Sequence, residues 1–250
     1  MTRIALDGMV ALVTGAGGII GGAVARRMAE GGALLALADR EAPRPIGEAS
    51  RSYAADLSDQ AQVSALVATV LADFGRIDCL ITAAGVTSLG AFETITADEW
   101  DRVHAINLRG VFLVNQAVIA PMKANGFGRI VNIGSVLAKN GGNPRPWLDT
   151  SEQVRAGNAA YGAAKAGAHA LTLYLAKEVA VHGITVNAVA PGPIASPMTT
   201  HFPEALVRQI PAGRLGRPDE VAGMVAWLCA RENAFVTGEI IDVNGGLWMD

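Results

Sequence analysis

The sequence contains few cysteines and no cluster of metal-binding side chains. It has two cysteines and four histidines. Cys79 and Cys229 each lie in an apolar segment, which favours buried, reduced thiols in a cytoplasmic protein. The histidines are scattered and have no metal-ligand spacing; they are His104, His169, His182 and His201. We therefore expect no metal site.

Positive charge and long apolar runs are also scarce. The 20 lysines and arginines are outnumbered by 23 acidic residues, so the net charge is −3 and no basic face is expected. No uninterrupted apolar run reaches the ~18 residues that span a membrane, and the first residues lack the apolar core of a signal peptide. We expect no nucleic-acid partner, no membrane partner and a cytoplasmic location.

Apolar side chains, by contrast, are abundant. Hydrophobic residues make up 51% of the 250 residues and charged residues 17%. This composition is typical of a compact folded protein, and the length suits one large α/β domain spanning residues 1–250.

Tyr161 and Lys165 are spaced one helical turn apart. The following segment, 166–181, is rich in Ala and Leu and lacks Pro, which predicts a helix. A free tyrosine has a pKa near ~10 and is a poor base at neutral pH. An ammonium group beside it lowers that pKa, so the pair would serve as a general acid/base. The alternative is a solvated helix face, where this spacing is common.

A glycine-rich segment follows the first apolar run, Met9 to Thr14, and precedes a helical stretch. Gly15 and Gly17 match the start of G-x-G-x-x-G, but Ile20 stands where the last glycine is expected. In a strand–turn–helix context such a loop presents backbone N–H groups to a pyrophosphate. The alternative is a tight turn that needs glycine only for its backbone.

Asp39 ends the second apolar run, about 20 residues after the glycines. A carboxylate at this point binds the adenosine ribose hydroxyls and repels a 2′-phosphate, which predicts NAD rather than NADP. Arg40 is the opposing signal, because an arginine there would accept a phosphate. The alternative role for Asp39 is a polar strand end.

Alternation of apolar runs with helical segments predicts about seven strands in one Rossmann-like, doubly wound parallel sheet with helices on both faces. Pro43 and Pro45 make a helix after Asp39 unlikely to form, so one crossover is reduced to a loop. Asp56 follows the third strand and would approach the adenine amino group; a plain loop acid is the alternative.

Further polar or small residues follow the fourth and fifth predicted strands. Ala84 and Gly85 would let a cofactor ring approach the backbone. Ser135 would donate a hydrogen bond to a substrate oxygen, or serve as a turn residue. Asn107 lies inside a predicted helix, where asparagine is unfavourable unless it faces water or has a polar partner.

Two segments are candidates for substrate contact. The Gly/Pro/Asn-rich loop insertion 139–158 lies on the same edge of the sheet and is long for a compact domain. Its alternative is a surface excursion or a subunit contact. Residues 197–215 follow a proline-rich turn and would form a helical substrate flap.

Taken together, these residues resemble the classical short-chain dehydrogenase/reductase family over essentially the whole chain. The resemblance is carried by Thr14-Gly15 with Gly21, Asp39, Asp56, Ala84-Gly85, Asn107, Ser135, Tyr161, Lys165, Pro191-Gly192, and the stretches 213–222 and 237–246. It implies Asn107, Ser135, Tyr161 and Lys165 as the catalytic residues. Tyr161 would pass a proton to or from the substrate oxygen, Lys165 would lower its pKa and hold the nicotinamide ribose, Ser135 would polarise the carbonyl, and Asn107 would position a water.

The resemblance also implies the residues that bind the cofactor. They are Gly15, Gly18, Ile20, Asp39, Asp56, Leu57, Ala84, Gly85, Tyr161, Lys165, Pro191, Gly192, Ile194 and Ser196. Ile194 would donate its backbone N–H to the carboxamide. The family is usually tetrameric, so a homotetramer is expected.

The chain departs from the family pattern at four points. Ile19 replaces the middle glycine of the loop, and because a β-branched residue does not easily adopt positive φ, it must begin the helix in the right-handed region. The family's N-N-A-G reads Thr82-Ala83-Ala84-Gly85, so a side-chain amide that supports the sheet is missing. Ser196 replaces a threonine that contacts the carboxamide. Ser135 and Tyr161 are further apart than usual, because of the insertion 139–158.

These observations predict an NAD-dependent oxidoreductase that interconverts a secondary alcohol and a ketone, with Tyr161 as general acid/base. One alternative is an NADPH-dependent reductase of 3-oxoacyl thioesters. The other is a non-catalytic, cofactor-binding regulatory protein, against which the complete set of Asn107, Ser135, Tyr161 and Lys165 argues.

Overall fold

The computed structural model describes residues 4–142, 158–199 and 202–249. Seven strands form one sheet in the order β3-β2-β1-β4-β5-β6-β7, and every pair is parallel. The strands are β1 (Val10–Thr14), β2 (Leu34–Asp39), β3 (Ser50–Ala54), β4 (Cys79–Thr82), β5 (Gly128–Ile133), β6 (Ile184–Pro191) and β7 (Ile240–Val243). The chain crosses from one half of the sheet to the other between β3 and β4, which opens a crevice at the carboxyl ends of β1 and β4.

Helices cover both faces of the sheet. They are α1 (Ile19–Glu30), α2 (Gln60–Phe74), α3 (Ala97–His104), α4 (Val111–Asn125), α5 (Leu137–Asn140), α6 (Ala159–Val179), α7 (Glu204–Val207) and α8 (Pro218–Cys229). The 3₁₀ turns described are Phe92–Thr94, Ala180–His182, Pro197–Thr199 and Arg231–Asn233. Apolar residues of α1 and α8 pack on one face, and those of α2, α4 and α6 on the other. The doubly wound fold predicted from the sequence is confirmed.

The connection from β2 to β3 contains no helix, as Pro43 and Pro45 predicted. Helix α1 begins at Ile19 with Gly18 as its N-cap, so the β-branched residue sits in the helical region. Ser58 as N-cap and Gly75 as the stop predict a helix from about Asp59 to Phe74. Helix α2 starts one residue later, because the carboxylate of Asp59, and not Ser58, accepts from Ala61 N and Gln62 N and caps it. Its predicted stop at Gly75 is observed, with φ of 78°.

The helical run from Ala97 to Asn125 is interrupted by a π-helical segment, Ala105–Gly110. This run is long and apolar enough to cross a membrane by length and composition, the one such helix among the described residues. The absence of an uninterrupted apolar run in the sequence did not predict this helix, because charged and polar residues interrupt its apolar stretch. Val114, Val118 and Met122 of α4 are fully buried against the sheet, and the core helix of a globular domain passes the same test.

A buried polar network links the sheet to the helices on one face. Asn132 Oδ1 on β5 accepts from Thr82 Oγ1 on β4 at 2.8 Å and from Asn115 Nδ2 on α4 at 3.0 Å. Asn132 Nδ2 donates to Thr172 Oγ1 on α6 at 3.0 Å. Thr82 and Asn132 are direct partners in the β4–β5 register. Asn132 on β5 therefore supplies a side-chain amide that supports the sheet next to Thr82.

Replacing Asn132 with alanine should lower the free energy of unfolding by roughly 2–4 kcal/mol, because it leaves the buried polar groups of Thr82, Asn115 and Thr172 short of partners. Chemical denaturation of the purified variant measures this change. Asn125→Ala, at an exposed helix end, is the matched control and should change stability by less than ~0.5 kcal/mol. Equal effects in the two variants would contradict a stabilising role for the network.

Candidate active site

The side chains of Ser135, Tyr161 and Lys165 meet at the carboxyl end of β5. Ser135 lies just beyond the strand, and Tyr161 and Lys165 lie one turn apart near the start of α6. The Ser135 side chain lies near enough to the Tyr161 hydroxyl to influence its pKa, and Lys165 Nζ is 5.9 Å from the centre of the tyrosine ring. The structure thus brings together three of the four residues expected to be catalytic.

The fourth, Asn107, reaches the same region from the π-helical segment. It is fully buried; its Oδ1 accepts from Val86 N at 3.0 Å and its Nδ2 donates to Val86 O at 2.7 Å. A Cβ at Gly85 would lie 2.8 Å from Asn107 Oδ1 and 3.5 Å from Lys165 Nζ. Gly85 therefore separates the two side chains, and the helix interior tolerates Asn107 because backbone groups after β4 satisfy it. Single-turn π segments are frequent at functional sites.

Burial has the largest effect on the pKa values of both Tyr161 and Lys165. It raises the pKa of Tyr161, while the hydrogen bond from Ser135 acts in the lowering direction. Burial lowers the pKa of Lys165 to about 8, and its Nζ donates to Ile133 O at 2.7 Å. The expectation that Lys165 brings the pKa of Tyr161 below its usual value is wrong for this state of the site, because desolvation of the phenol has the larger effect.

The glycine loop after β1 is packed tightly against the end of β4. Gly15 has φ of 67°, and a Cβ there would lie 2.3 Å from Ala84 N, so no other residue fits. Gly18 N donates to Gly15 O at 3.0 Å, which closes the turn at the start of α1. Ile20 is partly buried against the core beneath α1. Of the predicted cofactor residues, Gly15 and Gly18 therefore form the turn, Ile20 lies at the start of α1, and Ala84 packs against the turn from the end of β4.

A cavity of about 460 Å³ lies between this loop and the segment after β6. Its lining residues are Ala16, Gly17, Gly18, Ile19, Gly22, Arg26, Ala195, Ser196, Pro197 and Pro218. The cavity brings Ser196 opposite Gly18 at the N-terminus of α1, where backbone N–H groups and the helix dipole favour a phosphate. Arg26 adds a cation to its wall, and the sequence analysis did not single it out.

The residues after β6 are held by neighbouring strands and loops. Gly192 N donates to Val243 O at 3.0 Å, and Pro191 O accepts from Val136 N at 3.0 Å. Ile194 pairs with Gly216 in an isolated parallel bridge, and Ser196 N donates to Thr199 Oγ1 at 2.8 Å. These bonds fix the segment at the edge of the crevice.

Asp39 lies at the end of β2 against the glycine loop. Its Oδ2 accepts from Gly17 N at 3.0 Å and its Oδ1 accepts from Arg40 N at 2.7 Å. The carboxylate thus lies beside the glycine loop that is expected to bind the phosphates, where an adenosine ribose would lie.

Asp56 and Leu57 follow β3. The Asp56 carboxylate accepts from Ser58 Oγ at 2.7 Å and Ser58 N at 2.9 Å, and these bonds lower the pKa of Asp56. Leu57 is buried, and a Cβ at Gly110 would lie 3.2 Å from its Cβ. Leu57 therefore packs against the π-helical segment, and contact of either residue with a cofactor stays a prediction.

The sequence analysis missed His169. This residue lies on α6 one turn beyond Lys165 and is buried. Its Nε2 is 3.4 Å from the backbone N of Ser135. The four-residue spacing from Lys165 places His169 on the same face of the helix. This spacing does not show which strand end the histidine faces.

The two segments expected to contact substrate are described only in part. Of the insertion 139–158, residues 143–157 lie outside the described residues, and 139–140 belong to the end of α5. The segment 197–215 contains the 3₁₀ turn Pro197–Thr199 and α7, with 200–201 outside the described residues. Among the residues that are described, no group of three or more His, Cys, Asp or Glu could hold a metal.

Three groups lie along one edge of the doubly wound sheet. They are the glycine loop after β1, Asp39 at the end of β2, and the side chains of Ser135, Tyr161 and Lys165. The close approach at Gly15 and the cavity at the start of α1 match the shape and charge of a dinucleotide pyrophosphate. Fold and site together define an oxidoreductase that binds a nicotinamide dinucleotide.

Comparison with known proteins gives the family. The family model described as Enoyl-(Acyl carrier protein) reductase matches residues 15–248. The chain is 37% identical to a 3-oxoacyl-[acyl-carrier-protein] reductase of Vibrio cholerae, over 98% of this chain and 99% of the relative. It is 37% identical to the reductase of the same name from Thermotoga maritima, over 97% and 98%, and 39% identical to nodulation protein G of a Rhizobium species, over 98% of each. The chain belongs to the classical short-chain dehydrogenase/reductase family.

Proposed function

We propose that this protein reduces a 3-oxoacyl thioester to the 3-hydroxyacyl thioester, a specific case of the ketone–alcohol conversion expected from the sequence. The observation that carries the proposal is the likeness, over nearly the full length of both chains, to proteins named 3-oxoacyl-[acyl-carrier-protein] reductase. Between the two enzymatic hypotheses from the sequence, this likeness favours the thioester reductase over a general alcohol dehydrogenase.

The catalytic residues would act at the substrate carbonyl. The Ser135 side chain lies close enough to the Tyr161 hydroxyl to influence its pKa, so the two hydroxyls would share one substrate oxygen placed at the edge of the crevice. Tyr161 would deliver the proton to that oxygen as the C=O bond becomes C–OH, and Ser135 would stabilise the developing negative charge. The bound dinucleotide supplies the hydride. Lys165, buried beside the phenol, would favour the phenolate that is left.

We infer that the cofactor is NAD(H) rather than NADP(H). The support is the Asp39 carboxylate, whose Oδ2 lies 3.0 Å from Gly17 N at the glycine loop. A 2′-phosphate would approach this fixed negative charge, whereas ribose hydroxyls would donate to it. Arg40 follows on the chain and is the residue through which NADP would be favoured.

The proposal is tested by comparing substrates at equal concentration with reduced cofactor. The acetoacetyl thioesters of coenzyme A and of acyl carrier protein should be reduced with kcat/KM at least ~10-fold above that of methyl acetoacetate, which lacks the thioester and carrier. Turnover restricted to simple ketones and secondary alcohols would overturn the thioester proposal and restore the general dehydrogenase. Cofactor binding without turnover of any of these would favour the regulatory alternative.

Assembly and location stay predictions. The homotetramer would place copies against α4 and α6, where Phe112, Leu173 and Tyr174 are exposed large apolar side chains. A cytoplasmic location and the absence of nucleic-acid or membrane partners rest on composition alone.

A further inference from the structure

We propose that His169 is a positioning residue: its imidazole accepts the backbone N–H of Ser135 and fixes the turn that presents the serine hydroxyl. Nε2 lies 3.4 Å from Ser135 N, and both residues are buried. The inference rests on the proposed function only in giving Ser135 a role at the substrate carbonyl; the contact itself is independent of substrate.

Three successive N–H groups define the turn after β5. Gly134 N donates to Val189 O at 2.7 Å and Val136 N donates to Pro191 O at 3.0 Å, so both flanking groups bond to β6. The N–H between them, that of Ser135, points to the other side and meets His169 on α6. The histidine therefore ties the centre of the turn to the helix that carries Tyr161 and Lys165.

The space around the imidazole is shaped for this contact. A Cβ at Gly134 would lie 2.0 Å from His169 Nε2, so the ring occupies the position that any larger residue would need. An acceptor at Nε2 requires the neutral ring with its proton on Nδ1. An apolar side chain would fill the same space but would leave a buried N–H without an acceptor, and such groups are rare and costly.

The serine hydroxyl is oriented by the same turn. Ser135 Oγ accepts from Leu137 N at 3.1 Å, which directs the hydroxyl proton away from the backbone. The Ser135 side chain acts to lower the pKa of Tyr161, as a donor to the phenolate oxygen does. Displacement of the turn by loss of the His169 contact would misalign both the donor to the substrate and the donor to Tyr161.

The test compares His169→Leu, which removes the acceptor, with His169→Gln, whose amide oxygen can take the place of Nε2. We expect kcat for the 3-oxoacyl thioester to fall about 10- to 100-fold in H169L and to recover to within about threefold of the original in H169Q. Cofactor affinity should stay within about twofold in both, because the His169 contact is to Ser135, which is not among the residues expected to bind the cofactor. His182→Leu and His182→Gln, at an exposed position beyond the same helix, are matched controls and should leave kcat unchanged.

A second readout is hydrogen exchange at the Ser135 amide, which needs no turnover. Exchange should be faster in H169L than in the unmodified protein and slow again in H169Q. Equal kcat in H169L and the original, or failure of H169Q to restore kcat and slow exchange, would overturn the proposal. If the unmodified protein reduces no thioester but the exchange pattern holds, the positioning contact stands and the proposed substrate fails.

Discussion

Replacing Tyr161 with phenylalanine should reduce turnover about a thousandfold while leaving cofactor binding within about twofold of its original strength. The change removes one hydroxyl from a ring that otherwise keeps its packing against Val103, Ala160 and Ala164. General acid/base groups typically contribute 10²–10⁴ to rate. Steady-state rates with a thioester substrate, together with cofactor binding measured by fluorescence titration, check this expectation.

The matched control for this variant is Tyr174→Phe. Tyr174 lies on the same helix but is exposed, so the same atom is removed far from Ser135. Undiminished turnover in Y161F would mean that another group delivers the proton and that the Tyr–Lys pair is structural. Parallel loss of turnover and of cofactor binding would instead place the hydroxyl in the binding of the dinucleotide.

Much of the sheet and several helices could be predicted from local sequence, because most strands are short apolar runs and some helices have their own start or stop signal. The helix-free crossover followed from Pro43 and Pro45, and the end of α2 from Gly75. These signals act between neighbours in the chain, so one sequence is enough to recognise them.

The features that the sequence did not reveal depend on contacts between distant residues. The π-helical segment carries Asn107, whose amide pairs with the backbone of Val86 in the loop after β4. Asn132 lies beside Thr82 because the register of β4 and β5 pairs the two residues. Local sequence does not give this register, so the amide that Asn132 supplies there was not predicted. The proximity of His169 to Ser135 likewise joins a helix to a strand end.

The pKa of Tyr161 is another property that depends on the assembled fold and not on local sequence. Charge spacing in the sequence indicated that Lys165 would act on Tyr161, but the direction of the tyrosine pKa depends on how deeply the phenol is buried. Burial is a property of the assembled fold. The proximity of Tyr161 and Lys165 was therefore predictable, whereas the dominant effect of desolvation on the tyrosine pKa was not.

Replacing Asp39 with serine should relax the discrimination between the two nicotinamide cofactors. We expect the unmodified protein to bind NADH at least ~10-fold more tightly than NADPH, and D39S to bind NADPH at least ~10-fold more tightly than the unmodified protein does. Like charges about 4 Å apart cost roughly 1–4 kcal/mol at the effective dielectric of a protein surface or water, which corresponds to this range. In D39S that repulsion is absent, and Arg40 remains beside the phosphate.

Titration calorimetry with NADH and NADPH measures both affinities, and Asp98→Ser, at an exposed position on α3, controls for the change in net charge. A preference of the unmodified protein for NADPH would mean that Arg40 outweighs Asp39, and Arg40→Ser should then weaken NADPH selectively. Binding of neither cofactor would direct attention to Ile19, whose side chain stands on the wall of the cavity where the family has glycine. The Asp39 carboxylate already holds Gly17 N–H, so a ribose must share or displace that bond, and the strength of NADH binding measures how readily it does so.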